Sequence, residues 1–122
     1  MIRNKLLILI VSVLAMPLVA FAADITGTWT ASFDTQIGPQ NYVFTFKVEG
    51  NKLTGHVKGT YSDVDIQEGT ISGDDITFVE NMTYEGMALR IVYKGKISGD
   101  EIKLTRTILD MFTEEAVAKR AK

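Results

Sequence analysis

Val48-Glu49-Gly50-Asn51-Lys52-Leu53, Ile71-Ser72-Gly73-Asp74-Asp75-Ile76 and Ile97-Ser98-Gly99-Asp100-Glu101-Ile102 repeat one pattern three times. An apolar and a polar residue lead into Gly-Asn or Gly-Asp, and a polar and an apolar residue lead out. Gly followed by Asn or Asp is the chemistry of a two-residue hairpin turn, because Gly reaches positive φ without a Cβ clash. A two-residue turn also fixes register. Val48 must then oppose Leu53, Ile71 must oppose Ile76, and Ile97 must oppose Ile102. Three hairpins are set in this way, and the rest of the chain can be built outward from them.

Around these turns lie β-branched and aromatic segments with alternating polarity, broken by turn residues every eight to twelve positions. The pattern predicts eight strands, over 25–35, 41–49, 52–61, 64–72, 75–85, 87–98, 101–109 and 113–121. Gln36-Ile37-Gly38-Pro39-Gln40 is the longest expected connection, and Glu85-Gly86 is another tight turn. Such short connections between sequential strands mean an antiparallel meander. The three Gly-Asp/Asn turns gather at one tight end. The loops near 36–40, 62–63, 85–86 and 110–112 gather at a looser one.

Alternation assigns the faces. Ile25, Gly27, Trp29, Ala31 and Phe33 point inward from the first strand, and Tyr42, Phe44, Phe46 and Val48 from the second. Leu53, Gly55, Val57, Gly59 and Tyr61 follow, then Ile76, Phe78, Glu80, Met82 and Tyr84. Met87, Leu89, Ile91, Tyr93, Gly95 and Ile97 face Ile102, Leu104, Arg106 and Ile108. Phe112, Ala116, Ala118 and Arg120 complete the set. The segment 64–72 does not hold one parity, which predicts a bulge near Gln67-Glu68. A flat eight-stranded meander would leave two bare edges and a bare apolar face; closure into a barrel removes both.

The N-terminus reads as a secretion signal. Arg3 and Lys5 precede the apolar run Leu6–Leu14, then Pro17 and Ala20-Phe21-Ala22, an A-x-A cleavage pattern. An uncleaved anchor is the competing reading, since Leu6–Ala23 is marginally long enough to span a bilayer. The expected organisation is a signal peptide over 1–22 and a β-barrel domain over 23–122, periplasmic or secreted, with no integral membrane span after processing. Thirteen basic residues stand against fifteen acidic ones, and two of the basic ones lie in the signal. An acidic domain with no basic stripe is a poor nucleic-acid binder. With no Cys and a single His, His56, neither disulfides nor thiolate or His-cluster metal sites are expected, and no cofactor is implied.

Gly27-Thr28-Trp29 opens the first strand and Arg120 closes the last. Together with the meander, this resembles the calycin superfamily of lipocalins, avidins and fatty-acid-binding proteins, and is most similar to small exported bacterial lipocalin-like proteins. These share a G-x-W at the first strand and an Arg or Lys from the last strand over the Trp. The resemblance implies an up-and-down barrel with Gly27, Trp29 and Arg120 as its structural base. The chain departs from each member family. It lacks the lipocalin helix and disulfides, the avidin tryptophan wall and the helical lid of fatty-acid-binding proteins, so no family ligand is carried over.

Two inward positions are charged, Glu80 and Arg106. The turn registers pair Tyr93 with Arg106, Phe78 with Tyr93 and Glu80 with Ile91, which puts the two charges in adjacent layers. A buried charge left unpaired costs several kcal/mol, so they are expected to meet each other, a ligand or water. Tyr42, Tyr61, Phe78, Glu80, Met82, Ile91, Tyr93 and Arg106 are therefore the candidate ligand-binding set at the loose end, for a small, partly apolar molecule. Catalysis has little support: Asp65 is the only candidate partner carboxylate for Glu80, and His56 faces outward with no Ser nearby. The alternative role is a protein-interaction module with a solid core and a methionine-rich rim at Met82 and Met87.

Overall fold

The structure, a computed structural model, describes residues 23–121. The expected signal peptide at 1–22 lies outside the described residues. Every element is a strand: β1 (Gly27–Thr35), β2 (Gly38–Glu49), β3 (Lys52–Lys58), β4 (Asp63–Asp65), β5 (Gln67–Ser72), β6 (Asp75–Tyr84), β7 (Met87–Ser98), β8 (Glu101–Ile108) and β9 (Phe112–Arg120). No helix among the described residues is long and apolar enough to cross a membrane.

The sheet runs β2-β1-β9-β8-β7-β6-β5-β3-β4, and β2 also pairs with β3. That last pairing closes the ring. Strands β4 and β5 are two pieces of one stave, both paired to β3, so the barrel has eight staves. The expected bulge lies just past the break, within β5. Its register shifts between Gln67 and Thr70, and Glu68 takes a φ of 53°.

The three Gly turns hold the registers their spacing demands: Val48 opposes Leu53, Ile71 opposes Ile76, and Ile97 opposes Ile102. Gly50, Gly73 and Gly99 sit at φ near 60° while Asn51, Asp74 and Asp100 do not take positive φ, so the Gly alone carries the left-handed step. At Glu85-Gly86 both residues take positive φ.

Two expected boundaries are corrected. The connection over 36–40 is only the turn Gln36-Ile37, because Thr35 pairs with Gly38 and Asp34 with Pro39. Pro39 is tolerated because the β2–β3 ladder covers only Val43–Glu49, so no second strand asks for its missing N–H. Strand β3 ends at Lys58 rather than running to Tyr61, and a loop tied by Gly59 N–H to Ser62 O (2.7 Å) follows it.

The tight half of the barrel is filled. Trp29 is fully buried, and its Nε1 donates to Ile25 O at 2.9 Å. The Arg120 guanidinium carbon lies 4.4 Å from the Trp29 ring centroid, while its Nη1 donates to Thr26 O and its Nε to Asp100. A cation over an indole face contributes about 0.5–2 kcal/mol. Leu53, Ile71, Ile76 and Ile102 pack above this floor. An aromatic layer follows, with Phe78 and Tyr93 stacked at 4.5 Å and Phe44 edge-on to both.

Candidate functional site

The filled layers stop at Tyr93. Beyond them, at the loose end, the barrel opens into a cavity of about 580 Å³. Met82 from β6, Leu89 and Ile91 from β7 and Ile108 from β8 give it apolar walls, each delivered by strand alternation. Tyr42, Tyr61, Tyr84 and Phe112 add aromatic surface, and Ile37 and Met111 reach it from the turns. The polar contribution comes from Arg106 and Glu114, with Gln40 and Asp34 at the β1–β2 end.

Arg106 is almost wholly buried and belongs to both the packed interior and the cavity wall. Its Nε donates to Glu114 Oε1 at 2.7 Å, and its Nη1 donates to the Tyr93 hydroxyl at 3.1 Å. Its guanidinium carbon lies 4.0 Å from the Phe33 centroid and 4.8 Å from that of Tyr42. The Tyr93 hydroxyl in turn donates to Glu80 Oε1 at 2.6 Å. Glu80 is completely buried, and its Oε2 has no hydrogen-bond partner. Glu80 and Arg106 therefore communicate through Tyr93 rather than meeting directly.

This environment keeps both tyrosines as neutral phenols. Burial pushes the Tyr93 hydroxyl well above its usual range, and the nearby Glu80 charge pushes the same way. Burial, then the Glu80 charge, raises Tyr42 as well. The hydroxyls can donate and accept hydrogen bonds but are not poised to lose a proton near neutrality.

Of the eight candidate residues, Tyr42, Tyr61, Met82, Ile91 and Arg106 line the cavity. Phe78, Glu80 and Tyr93 are fully buried in the packed interior behind it, where the Tyr93 hydroxyl accepts from the cavity-lining Arg106. Tyr61 reaches the cavity differently from the way alternation suggests. It lies in the loop after β3, half exposed, with its ring 5.1 Å edge-on from Tyr84. Met87, the first residue of β7, is exposed and does not line the cavity. Glu114 is the important residue that the sequence reading passes over. The alternation that places Phe112 and Ala116 inward includes position 114, so the signal was present. A carboxylate facing inward is unexpected only until its Arg106 partner is seen.

Away from the cavity, His56 faces outward on β3. Its Nδ1 lies 2.9 Å from Asp65 Oδ1, and its Nε2 contacts Asp63. Among the described residues, no three His, Asp or Glu side chains converge as a metal site.

No family model matches the chain, and no curated protein matches it by sequence. By structure it is similar to a mutant of the fluorescent protein UnaG, at 13% identity and a TM-score of 0.52, over 80% of this chain and 96% of that one. It is also similar to a secretary abundant heat soluble (SAHS) protein from Ramazzottius varieornatus, at 14% identity and a TM-score of 0.44, over 84% of this chain and 100% of that one. The closed eight-stave meander, the Trp29–Arg120 floor and the likeness to the first of these structures agree: this chain has the fold of a calycin-like barrel.

Proposed function

We propose that this barrel binds a small, partly apolar molecule, without catalysis, in the cavity at its loose end. One observation carries this reading: the interior is packed solid up to Tyr93 and then opens, with apolar walls converging on the Arg106–Glu114 pair. Apolar walls with a few fixed polar groups are the usual chemistry of a small-molecule site. Met82 and Met111 add unbranched, adaptable side chains at the wall. The fold suits the role, since eight staves give an interior able to hold one small ligand. The Arg3–Ala22 pattern supports export, so we place this binding in the periplasm or outside the cell.

The test is a titration with the neutral fluorophore N-phenyl-1-naphthylamine. Saturable enhancement that is lost when Leu89→Trp fills the cavity is the expected result. Enhancement that never saturates, or that survives the substitution, overturns the reading.

A second reading rests on the rim. Ile37, Met87 and Met111 are each more than half exposed around the opening. An apolar rim of this kind suits a protein partner. Co-purification of one stoichiometric partner, lost on Met87→Lys with Met111→Lys, would favour this reading over the first.

A further inference from the structure

We propose that the cavity selects an amphipathic cation, an apolar body carrying an ammonium-type group, over a carboxylate of the same shape. This deepens the binding reading above and rests on it.

Among the described residues, Arg106 is the only cationic one lining the cavity, and its charge is already matched. Glu114 holds its Nε at 2.7 Å, and the two side chains are only 3% and 13% exposed. Tyr93 takes Nη1, and the Phe33 and Tyr42 rings lie against the guanidinium. A ligand carboxylate approaching Arg106 would join Glu114 around one guanidinium. Two like charges in one poorly solvated site oppose each other, and such juxtaposition is how sites reject a wrong ligand. A neutral ligand oxygen can accept from this guanidinium without bringing a second negative charge beside Glu114, which a carboxylate must do to gain its stronger charge-assisted bond.

The rest of the wall favours positive charge. Only Oε1 of the Glu114 carboxylate is engaged by the protein, and Asp34 adds a second carboxylate to the lining. Among the described residues the cavity lining thus holds two carboxylates, Asp34 at its exposed rim, against one guanidinium. Tyr42, Tyr61, Tyr84 and Phe112 present aromatic surface, whose faces attract cations and not anions. Behind the wall, the buried Glu80 carboxyl leaves Oε2 without a hydrogen-bond partner.

The test uses octylammonium, octanoate and octanol as competitors of N-phenyl-1-naphthylamine at pH 7, below their micelle concentrations. Octylammonium is expected to displace the fluorophore about tenfold more tightly than octanoate, with octanol between them. Glu114→Gln keeps an acceptor for Nε but removes the matching charge, so the preference is expected to swing towards octanoate. Asp34→Asn, at the exposed rim, is expected to weaken octylammonium alone. Octanoate binding as tightly as octylammonium to the unsubstituted protein overturns the proposal, as does failure of all three to displace a bound fluorophore; either leaves the binding reading standing. Absence of fluorophore binding removes that reading and the proposal together.

Discussion

The Tyr93 hydroxyl joins a buried acid to a buried base. It donates to Glu80 and accepts from Arg106, so removing it strands two polar partners where no solvent can replace it. Each group stranded in this way costs about 1–3 kcal/mol. Tyr93→Phe should therefore lower the unfolding free energy by about 2–4 kcal/mol in urea denaturation, although it deletes one oxygen and keeps the ring stack with Phe78. Retention of full stability would show that the network is not energetically coupled. Alternation found Glu80, Tyr93 and Arg106 because it needs only parity. It could not supply the order of the contacts, which depends on side-chain rotamers, nor the Glu114 partner, which looks polar until Arg106 is placed beside it. His56 shows the same limit on the outer wall. It reads as a solvated strand residue, yet its imidazole is held by Asp65 and Asp63, and these bonds raise its pKa above 6.5. Both ring nitrogens can donate only in the protonated ring. The folded value lies above the unfolded one, so the stabilisation is complete below about pH 6.5 and is lost as pH rises through the folded value. An NMR titration should show His56 titrating above an exposed histidine, and Asp65→Asn should lower it. An unperturbed midpoint would contradict the clip.

Turns and close strand approaches carry most of the information about the elements. The Gly-Asn and Gly-Asp turns fixed three registers outright, because their chemistry lies within two residues. Broken parity at Gln67-Glu68 marks the bulge, and there Glu68 reaches over to Arg90 in a two-pronged ion pair at 2.6 and 3.1 Å. That pair is exposed, so it positions the bulge more than it stabilises it. The β1–β2 connection is shorter than its residues suggest, because Gly38 and Pro39 have the chemistry of a loop yet pair with Thr35 and Asp34. Only the short β2–β3 ladder makes Pro39 acceptable within a strand. Gly69 shows how a missing side chain lets strands approach. A Cβ there would lie 2.0 Å from Leu53 O, a backbone atom that cannot yield. At Gly95 the same Cβ would meet Ile76 Cγ1 at 2.7 Å and Ile102 Cγ2 at 2.9 Å, buried side-chain atoms that yield at a cost but more readily than a backbone oxygen. Gly69→Ala should therefore cost more than Gly95→Ala, by about 1–3 kcal/mol, on overpacking grounds. Equal midpoints in parallel urea melts would show that the β3–β5 approach is looser than described.

Considered as a whole, the molecule divides its interior between support and function. The tight end has three hairpin turns, Trp29 and Arg120; the loose end has a cavity, exposed apolar turns and the buried Arg106–Glu114 ion pair. Closure of the barrel was inferable, because an open meander would leave bare edges. The size of the cavity was not, since it depends on how far the aromatic layer of Phe44, Phe78 and Tyr93 fills the bore. The two halves should respond independently. Arg120→Ala should lower stability by about 1–2 kcal/mol, through loss of the indole contact, and leave ligand affinity unchanged. Arg106→Met should alter affinity and also strand Glu114. The central claim is that the loose end, and not the tight end, is the binding site. The most direct measurement is two-dimensional amide NMR during titration with N-phenyl-1-naphthylamine. Saturable shifts confined to residues near Tyr42, Met82, Ile91, Arg106 and Thr113, with the amides around Trp29, Gly73 and Gly99 unmoved, are predicted. Shifts centred on the Trp29 end, or scattered over the outer wall without saturation, would contradict it.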